Sequence, residues 1–557
     1  MVGKRVRFWW SCGLAAAVLL MLVPNALARS RTTRVYASAH TGLLYPIHVA
    51  RANHGAFAAS ATSGPTSPIR GVRRIPRTSS VLKSHTAAPS SSGQALATAS
   101  SSLAANFNGT SSRDSEVTNF GQEFEPPDQG LCVGNGYVVD MVNSAYTVYR
   151  PNGNVVTGPF NINGPFDEGL LEFTSDPRCM YDPATNTWFA VVLFINGANT
   201  VGRVDLSVNT SGDPTKPWTT YQINTTDNGG STGPKHPGCP CFGDQPTLGF
   251  DSQNVYITTD EFSILGPQFN GAQIYAIARS DLLNTGLPMT PAHFVHFDNL
   301  SIGGSLANTI QPAIKEPSSA PAEYFLNSLD PTGTFDQRIG VWAMTNRGAV
   351  ANGGKPKLSS LVLNSEAYGI PPSAEQRGSD SLLDSGDDRM QQVQFNGGIW
   401  GELDTAITIP NDPEQRAGAA WFNVRPQLTN GVISGAQMRK QGYVSLAGNY
   451  LLYPALQVAH SGNAAMVMTL TGSDHFPSAA YSVLRSTASS FGPINVAAAG
   501  AGRYDANATR WGDYSWSVLD PSGKSVWMAT EYVPPTRSQT TDRVRNWGTR
   551  VFQVPLG

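Results

Sequence analysis

The chain is short of charge and of cysteine. Charged residues make up 14% of its 557 positions, and only five are cysteines. Motifs that announce a catalytic class are missing too: there is no H-E-x-x-H helix, no phosphate-cradling P-loop, and no basic stripe interleaved with aromatics for nucleic acid. Acidic residues are absent before Asp114, whereas residues 1–113 hold 13 of the 38 lysines and arginines. The rest of the chain therefore sets 25 basic residues against all 40 acidic ones, a cationic arm on an acidic body. No apolar run is long enough to span a bilayer comfortably. The longest, "GLAAAVLLMLV", follows the basic "MVGKRVRFWW" and precedes "ALA" at 26–28. That order reads as a signal peptide over 1–28, and places the protein outside the cell or on its surface.

What is abundant points one way. Glycine (55) and proline (39) are plentiful and aromatics reach 9%, a mixture suited to short strands and many turns rather than helices. Residues 29–115 include "SSVLKSHTAAPSSSGQALATASSSLAA", a low-complexity stretch that buries too little apolar surface to order itself. It is expected to be a disordered basic linker or pro-segment. After signal removal Cys132, Cys179, Cys239 and Cys241 remain, an even number that suggests disulfides in any of three pairings. "KHPGCPC" sets His236 beside two of them, but no second pair has zinc-ligand spacing, so no metal site is expected.

From residue 116 a unit recurs: a polar turn, a short apolar strand, a tight turn, and a second strand carrying Trp, Tyr or Phe. Clear copies are "SDPRCMYDPATNTWFAVVLF", "GDQPTLGFDSQNVYITTD" and "GDYSWSVLDPSGKSVWMATEY". Asp128, Asp176, Asp244, Gln311, Asp388, Pro454 and Asp513 mark the copies at steps of 48 to 77 residues. With two further strands after most markers, the unit is four-stranded, and radial repetition of such units gives a β-propeller. The expectation is an all-β, single-propeller domain over 116–557, with seven blades inside a range of six to eight. Its ring would be closed by pairing "NWGTRVFQV" with a strand near "SEVTNFGQEF". A monomer is expected.

Three segments, "DDRMQQVQFNGGIW", "YPALQVAHSGNAAMVMTLTGSDHFPSAAYSVL" and "RWGDYSWSVLDPSGKSVWMATEY", resemble a group of uncharacterised secreted bacterial propeller proteins with RWGDYS-type repeats. More distantly, the layout is similar to sialidase-like (BNR-type) propellers. The first resemblance implies fold and export. The second implies an arginine cluster against a carboxylate sugar and a tyrosine–carboxylate pair. Arg178, Arg389 and Arg510 lie within three residues of the opening turns, and Tyr514 and Glu402 occupy the matching positions. The sequence departs from that pattern: "YDPATNTW" has Asn for Gly and one residue too many.

If the inner strands converge, their polar starts crowd one mouth. Asp244, Glu402, Asp513 and Tyr514 are then the catalytic candidates, and Arg178, Arg389, Arg510 and Trp511 the ligand-binding ones. The recurring aspartates have two readings: each caps its own turn, or part of the ring binds Ca²⁺ or works as an acid/base pair. No other cofactor is expected. "GGSTG" (229–233) matches a nucleophile elbow without the strand-to-helix context, and His293 and His296 should face apart on a strand. The expected partner is an extracellular glycan or envelope polymer bound at the mouth. The alternatives are a carbohydrate-active enzyme, hydrolase or lyase, and a structural surface protein.

Overall fold

The computed structural model describes residues 33–36, 39–50, 87–98, 102–122, 124–230, 233–284, 290–314, 320–329, 335–504, 510–535 and 546–557. The expected signal peptide and most of the basic segment lie outside them. The described residues form a β-propeller. Seven antiparallel four-stranded units, here blades 1 to 7, follow one another along the chain. Their inner strands are Gly130–Gly134, Phe173–Asp182, Cys241–Phe250, Gln311–Ile314, Met390–Phe395, Asn449–Val458 and Trp516–Leu519. Each inner strand lies against that of the next blade, and the seventh lies against the first, so the ring closes. Blades 4 and 5 go further: Ala313 and Ile314 pair in parallel with Val393 and Gln394, fusing the two sheets.

Strand-forming side chains explain each blade. Trp188, Phe189, Val191 and Val192 in blade 2, and Val526, Trp527 and Met528 in blade 7, are wholly or almost wholly buried. Both faces of a blade press on neighbouring blades, so its central strands read as continuous apolar runs rather than alternations. A disulfide between Cys132 and Cys179 ties the inner strands of blades 1 and 2 together, and a second joins Cys239 to Cys241.

The ring closes differently from the sequence expectation. Ala105–Ser111, not the segment near residue 120, is the outer strand of blade 7, pairing with Gly548–Pro555. The predicted strand begins instead as the helix Ser112–Thr118, because Asp114 Oδ2 accepts the Ser111 N–H at 2.8 Å and satisfies its first turn. The propeller therefore starts by residue 105, and the linker does not run unbroken to 115. Parts of the arm are strands as well. Arg34–Tyr36 pairs with the edge of blade 4, His40–Leu44 with blade 3, and Pro46–Ala50 with blade 2. A blade edge offers unpaired backbone groups to any extended segment, so composition alone did not reveal this pairing.

Candidate functional site

All seven sequence markers fall at or within three residues of an inner strand. There the chain turns sharply into the ring, and one residue per blade takes a left-handed backbone: Asp128, Asp176, Gln245, Thr309, Gly386, Tyr453 and Gly512. Six φ values lie between +44° and +68°, and Thr309 is at +36°. For a β-branched threonine or a tyrosine that geometry is costly and must be held from outside. It is held by buried side-chain oxygens. Asn143 Oδ1 accepts the Asp176 N–H at 2.7 Å, Asp176 Oδ2 that of Gln245 at 3.1 Å, and Asp260 Oδ1 that of Thr309 at 2.7 Å. Asp404 Oδ1 takes the Tyr453 N–H at 2.8 Å, and Glu531 Oε2 that of Gly512 at 2.7 Å. Gly512 has a second constraint, since a Cβ there would sit 2.5 Å from the Tyr453 ring. In blades 1, 2, 3 and 5 the acceptor steadies the lead-in of the following blade, whereas Gly386 donates to Asp384 in its own turn and Gly512 to Glu531 in its own blade; of the sequence's two readings, turn capping is thus met chiefly across blades.

Seven carboxylates and three guanidiniums gather around this mouth: Asp128, Asp176, Asp244, Asp260, Asp384, Asp387 and Asp513, with Arg178, Arg389 and Arg510. Their charges are linked: Asp513 and Asp176 act on Asp128, Asp176 and Asp260 on Asp244, Asp387 on Asp260, and Asp384 on Asp513. Burial, then the charges of Asp513 and Asp176, holds the Asp128 carboxyl well above its ordinary range. Burial and Asp176 do the same to Asp244, and burial pushes Asp513 up to about 6.

The three arginines are engaged by the protein. Arg389 Nε donates to both oxygens of Asp387, at 2.8 and 2.9 Å, and its Nη1 reaches Gln245 Oε1 at 3.2 Å. Arg510 Nη2 donates to Asp513 Oδ2 at 2.5 Å, with Asp384 3.6 Å from its Nη1. Arg178 is buried with its guanidinium over the rings of Tyr514, at 3.2 Å, and Trp516, at 4.5 Å. What faces solvent is mainly acidic: the Asp384 and Asp513 side chains keep 25% and 19% of their surface, Arg510 22%.

Other candidates fall elsewhere. Trp511 is fully buried against Tyr504, with ring centres 5.0 Å apart, and packs in the core rather than forming a sugar platform. Glu402 is buried between strands of blade 5, where Oε1 accepts the Gln392 N–H at 3.1 Å. It does not meet Tyr514, whose own hydroxyl donates to Pro177 O at 3.3 Å. Burial drives the Tyr514 phenol well above its ordinary range, so it is a poor nucleophile here. His293 pairs with Asp281 at 2.9 Å while His296 stacks on Tyr275, so they do not share a ligand. The centre of the "GGSTG" segment lies outside the described residues.

The opposite mouth is different. The far ends of all seven inner strands line a cavity of about 250 Å³, with Met180, Phe250, Phe395 and Val518 on its wall and Gln394 and Gln457 at its polar points. Between the two mouths, Gln392 Nε2 donates to Ser517 O at 2.7 Å and Gln394 Nε2 to Leu456 O at 2.7 Å, bridging blades 5, 6 and 7. These glutamines were not singled out from the sequence; only their repetition in "MQQVQF" marks them.

No protein-family model and no curated protein matches the chain. Solved structures do resemble it in outline. The Hadza microbial sialidase Hz136 is 9% identical, with 75% of this chain and 73% of that one covered at a TM-score of 0.36. The GH93 α-L-arabinofuranosidase of Fusarium graminearum is 8% identical, covering 81% and 98% at 0.34. A europium-containing methanol dehydrogenase is 10% identical, covering 77% and 81%, also at 0.34. A sialidase, an arabinofuranosidase and a dehydrogenase share this distant likeness, which therefore carries no information about chemistry.

Proposed function

We propose that this chain is an exported propeller whose acid-rich mouth binds an extracellular polyhydroxylated ligand, a glycan or envelope polymer, uncharged or carrying amino groups. One observation carries the reading: Arg389 and Arg510 are tied to Asp387 and Asp513, while Asp384 and Asp513 retain exposed surface. Carboxylate oxygens accept hydrogen bonds from sugar hydroxyls and ammonium groups. They repel a carboxylate sugar, which needs free guanidiniums. Calorimetry against neutral, amino-sugar and sialylated oligosaccharides tests this. Binding should favour the first two, and Asp384→Asn should weaken it about tenfold. Preference for sialylated ligands, or no binding to any glycan, overturns it.

A second reading, glycoside hydrolysis, is favoured by Asp244 alone. Burial and the Asp176 charge hold its carboxyl well above the ordinary range, the direction a general acid needs. Release of reducing sugar that disappears in Asp244→Asn would establish it. Binding without turnover leaves the first reading standing.

A further inference from the structure

Blade 3 carries a second polar cluster, separate from the mouth. Glu261 follows Asp260 on the strand Asn254–Ser263, and alternation sends the two side chains to opposite faces. Asp260 serves the mouth. Glu261 meets Asp227 and His236 from the connection between blades 2 and 3, with Asp298 beyond. His236 Nδ1 lies 2.7 Å from Glu261 Oε2 and 3.7 Å from Asp227 Oδ2, and its Nε2 lies 3.2 Å from Asp298 Oδ2. The imidazole keeps 6% of its surface, Asp227 and Glu261 1% each, and Asp298 4%.

The set is short of positive charge. Three buried carboxylates surround one imidazole that supplies at most one charge and two N–H donors; among the described residues the other ion pair at Asp298 is to His40, half exposed, at 3.3 Å. Among the described residues no N–H group donates to Glu261 Oε1. Its neighbour is Cys239 Sγ at 3.4 Å, and that sulfur is bonded to Cys241 and bears no hydrogen. A buried carboxylate oxygen left this way is destabilising unless something positive meets it.

The donor geometry is that of a metal site. One ligand atom each from Asp227, His236 and Glu261 falls within 4.8 Å of the others, close enough to share one ion. Asp298 on the far ring nitrogen supplies the carboxylate–histidine support typical of metal-bound imidazoles, and Gln273 Nε2 steadies Asp227 Oδ2 at 2.9 Å. One nitrogen and two carboxylates suit a small transition-metal dication. Calcium instead asks for six to eight oxygens.

We propose that Asp227, His236 and Glu261 hold one divalent transition-metal ion, zinc by preference, with Asp298 orienting His236. The ion takes the place of the proton between His236 and Glu261, and that proton leaves to solvent. The site pins the Asp227–Cys241 connection to blade 3, which makes it structural.

The test uses tag-free, full-length protein dialysed against chelator, then equilibrium dialysis with ZnCl₂, MnCl₂ and CaCl₂ and metal counting by mass spectrometry. About one zinc per chain is expected, with little calcium, and a zinc-dependent rise in Tm. Glu261→Gln should weaken zinc binding at least tenfold, and Asp298→Asn by about 10–100-fold. Zinc uptake by wild type below a tenth of an equivalent overturns the proposal without any variant. So does uptake unchanged in both Glu261→Gln and His236→Ala. Either result reduces the cluster to a histidine–carboxylate ion network. Neither result bears on glycan binding at the mouth, which is measured separately.

Discussion

The guanidinium of Arg178 in blade 2 lies 3.2 Å from the centre of the Tyr514 ring in blade 7, reaching past blade 1 to do so. Asp128 and Asp176 share its charge, so the residue is a buried brace across the hub and not a clamp open to ligand. Removing one member of a buried ionic set leaves its partners uncompensated, which costs about 3–5 kcal/mol. Arg178→Ala should therefore lower the unfolding free energy by that amount in urea titrations. Tyr514→Phe keeps the ring and loses only the 3.3 Å bond to Pro177 O, so it should cost about 1 kcal/mol or less. A folded, equally stable Arg178→Ala protein with weakened ligand binding would return Arg178 to the list of ligand contacts.

That brace shows where the sequence stopped being legible. The blades were readable because each lead-in combines a polar turn with an apolar strand, a local pattern; all seven markers fell at inner strands. Crowding of Asp128, Asp176, Asp244 and Asp513 followed from the same geometry. The partners did not. Arg389 pairs with Asp387 two residues away, whereas Arg178 meets a ring 336 positions later in the numbering, and nothing local separates those two fates. Trp511 stands beside Gly512 at the mouth in sequence, yet its ring turns inward against Tyr504. The blade 3 cluster draws on Asp227 and His236 from one connection, Glu261 from a strand and Asp298 from a later loop, and only the histidine in "KHPGCPC" hinted at it. The strands of the arm escaped notice because edge pairing is made by backbone, which carries no side-chain signature.

The Cys132–Cys179 bridge closes a loop of 47 residues between blades 1 and 2. By chain-entropy arithmetic, opening a loop of that length frees the unfolded chain by about 4 kcal/mol. The double variant Cys132→Ala/Cys179→Ala should show that loss in chemical denaturation. Cys239–Cys241 closes almost no loop, so replacing both with alanine should cost far less by this route. Equal losses from the two pairs would mean that packing, rather than chain restriction, sets their worth.

The buried acids set the pH dependence. Asp140, without exposed surface, accepts the Thr110 N–H and the Thr549 hydroxyl, each at 2.7 Å, and so clasps blade 1 to the closing strand. Burial outweighs those bonds and raises its carboxyl to about 6; Asp513 is raised to about 6 in the same way. A carboxyl raised on folding binds its proton more tightly in the native state. Its contribution is complete below about pH 4, near the ordinary carboxyl value, and is lost as pH climbs through 6. Asp298 and Asp412, lowered to about 2, act in the opposite direction below about pH 4, and so does His296, held down to about 3 by burial, from about pH 3 to 6.5. Between pH 4.5 and 6.5 the Asp140 contribution to the unfolding free energy should therefore fall as pH rises, by at most about 3 kcal/mol. Asp140→Asn, which cannot ionise and can place its amide oxygen where Oδ2 accepts both bonds, should flatten the slope over the same interval. Thermal and urea unfolding at half-unit pH steps measure both curves. Because His296 raises both curves alike, the difference between them isolates Asp140; a wild-type minus Asp140→Asn difference that stays flat or climbs with pH would show that the Asp140 carboxyl is ionised and compensated in the native state, against the burial argument.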